Sequence, residues 1–310
     1  MKVLVTGGAG FIGSHIVDRL IADNLQVIVV DNLSTGRRHQ VHPSATFYPC
    51  DITSHALEQI FEQEKPDAVI HQAAQVDVRQ SMHAPLHDAI VNIIGTLRLL
   101  ECSVLHSIQK FIYASSAAVY GKPHTTSINE THPIQPLSCY GISKYTPEQY
   151  IGVFSEQYGL NYTILRYANV YGERQELAGE GGVIPNFVLK MLQNTPPQIY
   201  GDGLQTRDFI HVEDVAAANV AALSAGDREV LNVATSQALS INDLVELLNE
   251  MMSIRIAPVY MPAREGDIRD SCLNNERTRE VLQWEPQVSL HRGLLQTIHY
   301  VRNKMSIVSS

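Results

Sequence analysis

Apolar residues recur along this chain in two rhythms, and the alternation between them predicts its elements. Lys2 to Val5, Gln26 to Val30, Ala68 to His71 and Lys110 to Ser115 are short, nearly unbroken apolar runs. Such runs read as strands buried on both faces. A shorter run begins at Phe47-Tyr48 and leads toward Asp51-Ile52. Between these runs the spacing changes to that of one helical face, at Ile12, Ile16, Val17, Leu20 and Ile21 and again at Leu57, Ile60 and Phe61. A longer helix is expected from about Leu86 to His106. Its apolar residues Ile90, Ile93, Ile94, Leu97, Leu99, Leu100 and Leu105 spread around more than one face. One face packs on the sheet; the other meets either a partner subunit or another lobe of the same chain.

Strand and helix in alternation predict an α/β fold, a doubly wound parallel sheet of the Rossmann type. Glycines and loops increase from about Gly172, so residues 1–171 are read as the dinucleotide-binding domain and 172–310 mainly as a smaller α/β lobe, with the chain free to cross between them. In that second part a helix is expected over Val183 to Leu192, a strand at Gln198 to Tyr200 and a turn at Gly201 to Gly203. Helix starts are expected at Ser240, with Asp243 three residues on, and at Asn274; Gly226 is expected to follow a helix over Glu213 to Ala225. Trp284, just before Pro286, is expected to pack against the core.

The first run feeds directly into Thr6-Gly7-Gly8-Ala9-Gly10-Phe11-Ile12-Gly13, and a helix follows. Strand, glycine turn and helix are what a pyrophosphate site needs: residues without Cβ allow close approach, and the helix N-terminus offers free N–H groups. Gly7, Gly10, Phe11, Ile12 and Gly13 are the expected cradle. The second run ends at Asp31, placed to accept hydrogen bonds from an adenosine ribose and to repel a 2'-phosphate, which favours NAD over NADP. Arg37 and Arg38 just downstream are read as loop charges. Asn32, Asp51 and Ile52 are placed near the adenosine half, and Ala73 lies where a backbone passes beside the cofactor.

Bulk properties narrow the partners. The net charge of -9 over 310 residues gives no general attraction to nucleic acid or to an anionic membrane, so an anionic ligand must be met by local arginines and N–H groups. No apolar run approaches a membrane span, and the expected location is the cytoplasm. The four cysteines, Cys50, Cys102, Cys139 and Cys272, are far apart and read as reduced thiols. His83 and His87 have ligand-like spacing, but Pro85 intervenes and no acidic or cysteine partner is positioned, so no metal site is expected.

Cys139 to Lys144 reads as the opening of a helix that sets Tyr140 and Lys144 one turn apart on one face. A fixed ammonium beside a phenol favours phenolate, and a phenolate can take a proton from a sugar hydroxyl near neutral pH. Ser115 and Ser116 end the fifth strand, where ligands of parallel sheets collect, and a hydroxyl there can donate to a substrate oxygen.

Taken together, TGGAGFIG at 6–13, Asp31-Asn32-Leu33, Ser115-Ser116-Ala117, Tyr140-Gly141-Ile142-Ser143-Lys144 and Leu165-Arg166-Tyr167-Ala168-Asn169-Val170-Tyr171-Gly172 resemble the extended short-chain dehydrogenase/reductase family over essentially the whole chain. Within it the nearest likeness is to UDP-glucose 4-epimerases and relatives acting on nucleotide sugars. The resemblance implies a catalytic set of Ser116, Tyr140 and Lys144, with Lys144 also holding the nicotinamide ribose and Tyr167 flanking the nicotinamide. It implies that Asn169 contacts the nucleotide sugar, that Arg207 and Arg264 grip its pyrophosphate, and that Asp267 contacts a ribose. Ser271 stands at the position that gates space beside the sugar C2 group; its small side chain is expected to admit an acetamido group.

The resemblance implies NAD-dependent 4-epimerisation of UDP-glucose and UDP-galactose, and of their N-acetylhexosamine forms, through a 4-keto sugar in a homodimer. Two rival readings stand beside it. One is another nucleotide-sugar enzyme of the family; dehydratases and decarboxylases carry an acidic residue where this chain has Ala117-Ala118, while a 4-reductase stays open. The other is a non-catalytic NAD-sensing module, which has no use for an intact Ser116, Tyr140 and Lys144.

Overall fold

The computed structural model describes residues 1–177, 182–263 and 268–308. In chain order the first elements are β1 (Lys2–Thr6), α1 (Phe11–Ala22), β2 (Gln26–Asp31), β3 (Thr46–Pro49), α2 (Ala56–Glu64) and β4 (Ala68–His71). Next come α3 (Val78–His83), α4 (Pro85–Ala89), α5 (Gly95–Leu105), β5 (Lys110–Ser116), α6 (Cys139–Tyr158), β6 (Tyr162–Tyr167) and β7 (Asn169–Tyr171). The chain continues through α7 (Val183–Leu192), β8 (Gln198–Tyr200), β9 (Thr206–His211), α8 (Val212–Ala221), β10 (Glu229–Val233), β11 (Ala238–Ser240) and α9 (Ile241–Met252). It ends with β12 (Val259–Met261), β13 (Asp270–Ser271), α10 (Glu276–Leu282) and α11 (Leu290–Val308).

One seven-stranded sheet runs in the order β10-β6-β5-β4-β1-β2-β3, every neighbouring pair parallel. Val3, Val5, Val27 and Val29 face α1 and α8, packing with Ile16, Val17, Leu20, Val215 and Ala218. The alternate residues Leu4, Ile28 and Val30 face the other way, against Leu57, Phe61, Leu99 and Leu100. Burial on both faces is the reason these strands read as unbroken apolar runs. The direction of winding reverses between β1 and β4, so the carboxyl ends of those two strands open the crevice where ligands of such sheets sit.

Residues beyond 171 also contribute to this sheet, because β10 pairs with β6 and α8 packs against α1. Helix α10 packs on β10 as well, and the remaining carboxyl-terminal elements form a second lobe. Its β11-β9-β13 sheet, with β7 paired to β9, and its β8–β12 pair accompany a core of Tyr171, Phe187, Leu244 and Leu294.

Several local expectations are corrected. The long helix begins at Pro85 and changes pitch midway, where Ile90–Ile94 forms a turn of π-helix between α4 and α5. Helix α8 stops at Ala221, before the expected Ala225, and Gly226 takes φ 69° beyond it. Ser240 caps α9 as expected, its Oγ accepting from the Asp243 N–H at 3.0 Å. Helix α10 instead has Asn275 at its cap position, while Asn274 Oδ1 accepts from the Glu276 N–H at 2.9 Å. Trp284 is buried in the core and donates to the Asp214 carbonyl at 3.0 Å. All four cysteines are free thiols. Among the described residues no helix is long and apolar enough to cross a membrane.

Candidate active site

The glycine turn after β1 is shaped by close approaches. Gly7 has φ 67°, and a Cβ on it would lie 2.7 Å from the Ala73 nitrogen; one on Gly13 would lie 2.1 Å from the Gly7 carbonyl oxygen. Only glycine fits either position. Helix α1 starts at Phe11 with Gly10 as its cap and no side-chain hydrogen bond there, so the N–H groups at Phe11, Ile12 and Gly13 head an uncapped helix terminus. At the end of β2 the Asp31 carboxylate is fixed by the Ala9 N–H at 3.0 Å and the Leu33 N–H at 2.8 Å. Asn32 Nδ2 donates to Asp51 Oδ2 at 2.7 Å, tying two adenosine-side candidates together, and Ile52 is buried beside them in sequence. Arg37 pairs with Glu176 at 3.1 Å and Arg38 lies 4.5 Å over the Phe47 ring. Both loop arginines are therefore engaged by protein groups. A cradle without side chains, an uncapped helix and a placed carboxylate fit an NAD dinucleotide.

Helix α6 opens as its sequence predicts, with Ser138 Oγ accepting from the Gly141 N–H at 3.1 Å. Tyr140 is half-buried, Lys144 buried, and both occupy the turn next to the end of β5. The Lys144 ammonium is not aimed at the phenol. It donates to the Ala114 carbonyl at 2.8 Å and lies 5.2 Å from the centre of the Tyr113 ring. Burial pushes the Tyr140 phenol above its ordinary value; a hydrogen bond with Ser116 opposes the rise and the Asp88 carboxylate adds to it. Burial also brings Lys144 down to about 8, against the pull of Asp88 and Glu148. Helical spacing sets the two groups one turn apart, and burial is the largest influence on the phenol.

Strand alternation separates the two serines. Ser116 Oγ accepts from the Ala118 N–H at 3.2 Å and pulls the Tyr140 phenol down, whereas Ser115 points into the protein and donates to Glu148 Oε1 at 2.5 Å. Glu148 is four residues beyond Lys144 and pairs with Arg166 of β6 through Nη2–Oε2 at 2.6 Å and Nε–Oε1 at 3.1 Å. This buried pair bolts α6 to the ends of β5 and β6.

A second buried network went unread in the sequence. Asn92, in the π-helical turn, accepts from the Gln75 N–H at 2.8 Å and donates to Ser143 Oγ at 2.9 Å and Asp88 Oδ1 at 3.2 Å. His71 at the end of β4 bridges Thr6 Oγ1 at 2.7 Å and Thr96 Oγ1 at 2.9 Å. The available signal was a polar stripe at Asp88, Asn92 and Thr96, spaced by four on an otherwise apolar helix.

Toward the second lobe, Tyr167 is buried with its hydroxyl held by Asn219 Nδ2 at 2.8 Å and Gln72 Nε2 at 3.0 Å. Asn169, exposed, begins β7 opposite Phe209. Ser271 of β13 stands opposite Arg207 of β9. Parallel register and the two-residue repeat of β9 set Asn169, Arg207 and Ser271 on one face of the smaller sheet. Arg207 Nη1 donates to the Thr206 carbonyl at 2.8 Å. Arg264 and Asp267 lie outside the described residues.

A doubly wound parallel sheet with a bare glycine turn, an acidic end to β2 and a Ser-Tyr-Lys set between β5 and α6 defines a short-chain dehydrogenase/reductase. More narrowly, the chain belongs to the NAD dependent epimerase/dehydratase family, whose model matches residues 3–234. It is 39% identical to the UDP-glucose 4-epimerase of Mycolicibacterium smegmatis, with 98% of this chain and 99% of that one covered. Among solved structures, the UDP-glucose 4-epimerase of Thermotoga maritima with UDP-glucose superposes with a TM-score of 0.96 at 45% identity, over 98% of this chain and 100% of the other. The UDP-N-acetylglucosamine 4-epimerase of Methanobrevibacter ruminantium, in complex with UDP-N-acetylmuramic acid, gives 0.94 at 36% identity over 98% and 99%.

Proposed function

We propose that this protein is an NAD-dependent nucleotide-sugar 4-epimerase that interconverts UDP-glucose and UDP-galactose and also their N-acetylhexosamine forms. The observation that carries the reading is that Ser116 ends β5 while Tyr140 and Lys144 stand one turn apart at the start of α6, which the Lys144 bond to the Ala114 carbonyl ties to that strand. Gly7, Gly10, Phe11, Ile12, Gly13, Asp31, Asn32, Asp51, Ile52, Ala73 and Tyr167 hold the dinucleotide, and Lys144 its nicotinamide ribose. When bound, NAD supplies a two-electron acceptor and, oxidised, a positive charge that favours phenolate. Tyr140 takes the proton of the sugar 4-hydroxyl as C4 becomes a ketone, and Ser116 holds the same oxygen. Asn169, Arg207 and Ser271 on the smaller sheet, with Arg264 and Asp267, hold the nucleotide half while the sugar turns over. Tyr140 then returns the proton after reduction of the other face. The reaction consumes no net oxidant, so the cofactor stays in place between turnovers.

The protein acts as a homodimer in the cytoplasm. Leu86, Ile90 and Ile94 on the long helix and Ile142, Tyr150 and Val153 on α6 are between 41% and 74% exposed, an apolar surface suited to a two-fold contact. Ile151 of α6 is in the core and Phe154 packs partly buried against it.

Incubating the purified protein with a panel of nucleotide sugars and no added NAD, and reading product configuration by NMR, tests the reading. Inversion at C4 is expected. Tyr140→Phe should lose about 10²- to 10⁴-fold in rate while keeping its cofactor; undiminished turnover in that variant overturns the mechanism.

A further inference from the structure

We propose that Asp88 is a positioning residue for the Tyr140 and Lys144 pair, a buried carboxylate on α4 whose negative charge sets the proton balance of the base across the helix contact. The proposal rests on the epimerase reading above and adds a residue to it.

Asp88 is buried among neutral partners. It is 1% exposed, and its hydrogen bonds come from two neutral amides, Gln75 Nε2 at 2.8 Å and Asn92 Nδ2 at 3.2 Å. A carboxylate taken out of water is costly unless an opposite charge compensates it. A neutral asparagine could accept the same two hydrogen bonds. Lys144 has the complementary problem: it is 5% exposed and its ammonium donates to a neutral carbonyl. Both groups are buried where α4 packs on α6, and among the described residues no ion pair joins them. Asn92 fixes the geometry by donating to Asp88 and to Ser143 Oγ, which in turn donates to the Tyr140 carbonyl at 3.1 Å.

Other charged and titratable groups near the pair do not replace Asp88. Glu148 on the next turn of α6 is committed to Arg166 of β6. His71 of β4 is held neutral by burial, and Tyr113 of β5 is pushed to higher pKa by burial. Arg79 and His83 on α3, His87 on α4, and Arg98 and Glu101 on α5 are not among the groups that shift Tyr140 or Lys144. Asp88 is the carboxylate that acts on both: it holds the proton on Lys144 and resists loss of the proton from Tyr140. Removing its charge should make both groups lose protons more easily, so both titrations move to lower pH.

The test is Asp88→Asn, which keeps the acceptor oxygen and deletes the charge. Ultraviolet titration of the Tyr140 phenolate, taken as the difference between each protein and its Tyr140→Phe counterpart, should move down by about one pH unit. Both limbs of the kcat/KM profile should move down with it. Asp88→Glu, which restores the charge, should return the limbs toward the parent. If Asp88→Asn does not fold, Asp88→Ser is read in the same way. Unmoved titration and unmoved limbs, with only a lower rate, overturn the proposal. Full turnover by Tyr140→Phe would instead overturn the epimerase mechanism itself, a distinguishable result.

Discussion

At the scale of single residues, the smaller sheet turns a sequence expectation into a geometric one. Ser271 stands in register with Arg207, so the side chain expected to limit the sugar C2 group is neighbour to one expected to hold the pyrophosphate. A larger side chain at 271 should therefore crowd the sugar while leaving the phosphate grip alone. Ser271→Tyr is expected to lower kcat/KM for UDP-N-acetylhexosamines by about 10- to 200-fold relative to UDP-glucose, the range one steric clash in a pocket supplies. Equal retention of both substrates removes the assignment. Residues with a fixed local geometry were the ones legible in the sequence. Gly7 and Gly13 follow from close approach and Asp31 from the end of a strand, while Ser116 was chosen over Ser115 by the family resemblance. Glu148 and Arg166 were not legible, because their partners lie 18 or more residues away, and the Asp88–Asn92–Thr96 stripe, though local, does not state that it will meet Gln75 and Ser143.

At the scale of elements, the two helices beside the site have two jobs on opposite faces. Helix α6 turns Tyr140, Lys144, Glu148 and Ile151 inward and leaves Ile142, Tyr150 and Val153 outside. The long helix turns Asp88 and Asn92 inward and leaves Leu86, Ile90 and Ile94 outside, its π-helical turn shifting the register by which the halves share that division. Period counting predicted the helix and its two apolar faces but not the π turn, which carries the buried Asn92. Ile142→Asp places a charge in the middle of the proposed two-fold contact and away from the core. It is expected to shift sedimentation from dimer to monomer with the far-ultraviolet circular dichroism unchanged. A dimer that survives both Ile142→Asp and Leu86→Asp assigns the contact elsewhere.

At the scale of the whole molecule, the buried ionisable groups link fold stability to pH, and His71 gives the clearest sign. It is 2% exposed at the centre of the sheet, hydrogen-bonded to Thr6 of β1 and Thr96 of α5. Burial first, and the Lys144 ammonium second, lower it to about 3. The unfolded chain takes up this proton near about pH 6.5 while the folded chain refuses it, so the unfolded state binds more protons throughout the interval. Stability from this group is complete above about pH 6.5 and falls by about 1.4 kcal/mol per pH unit below it, until the folded protein protonates at last. His15, lowered to about 4 by burial, acts in the same direction. Asp208 and Asp214 act in the opposite one, since burial raises them and the folded state then holds the extra proton. The comparison of His71→Asn with the parent cancels these background terms. Chemical denaturation between about pH 6 and pH 4 should show a shallower loss of stability in the variant, by close to one proton's worth of slope. Parallel slopes would mean that His71 already carries its proton in the folded interior, against its two threonine partners and the ammonium beside it.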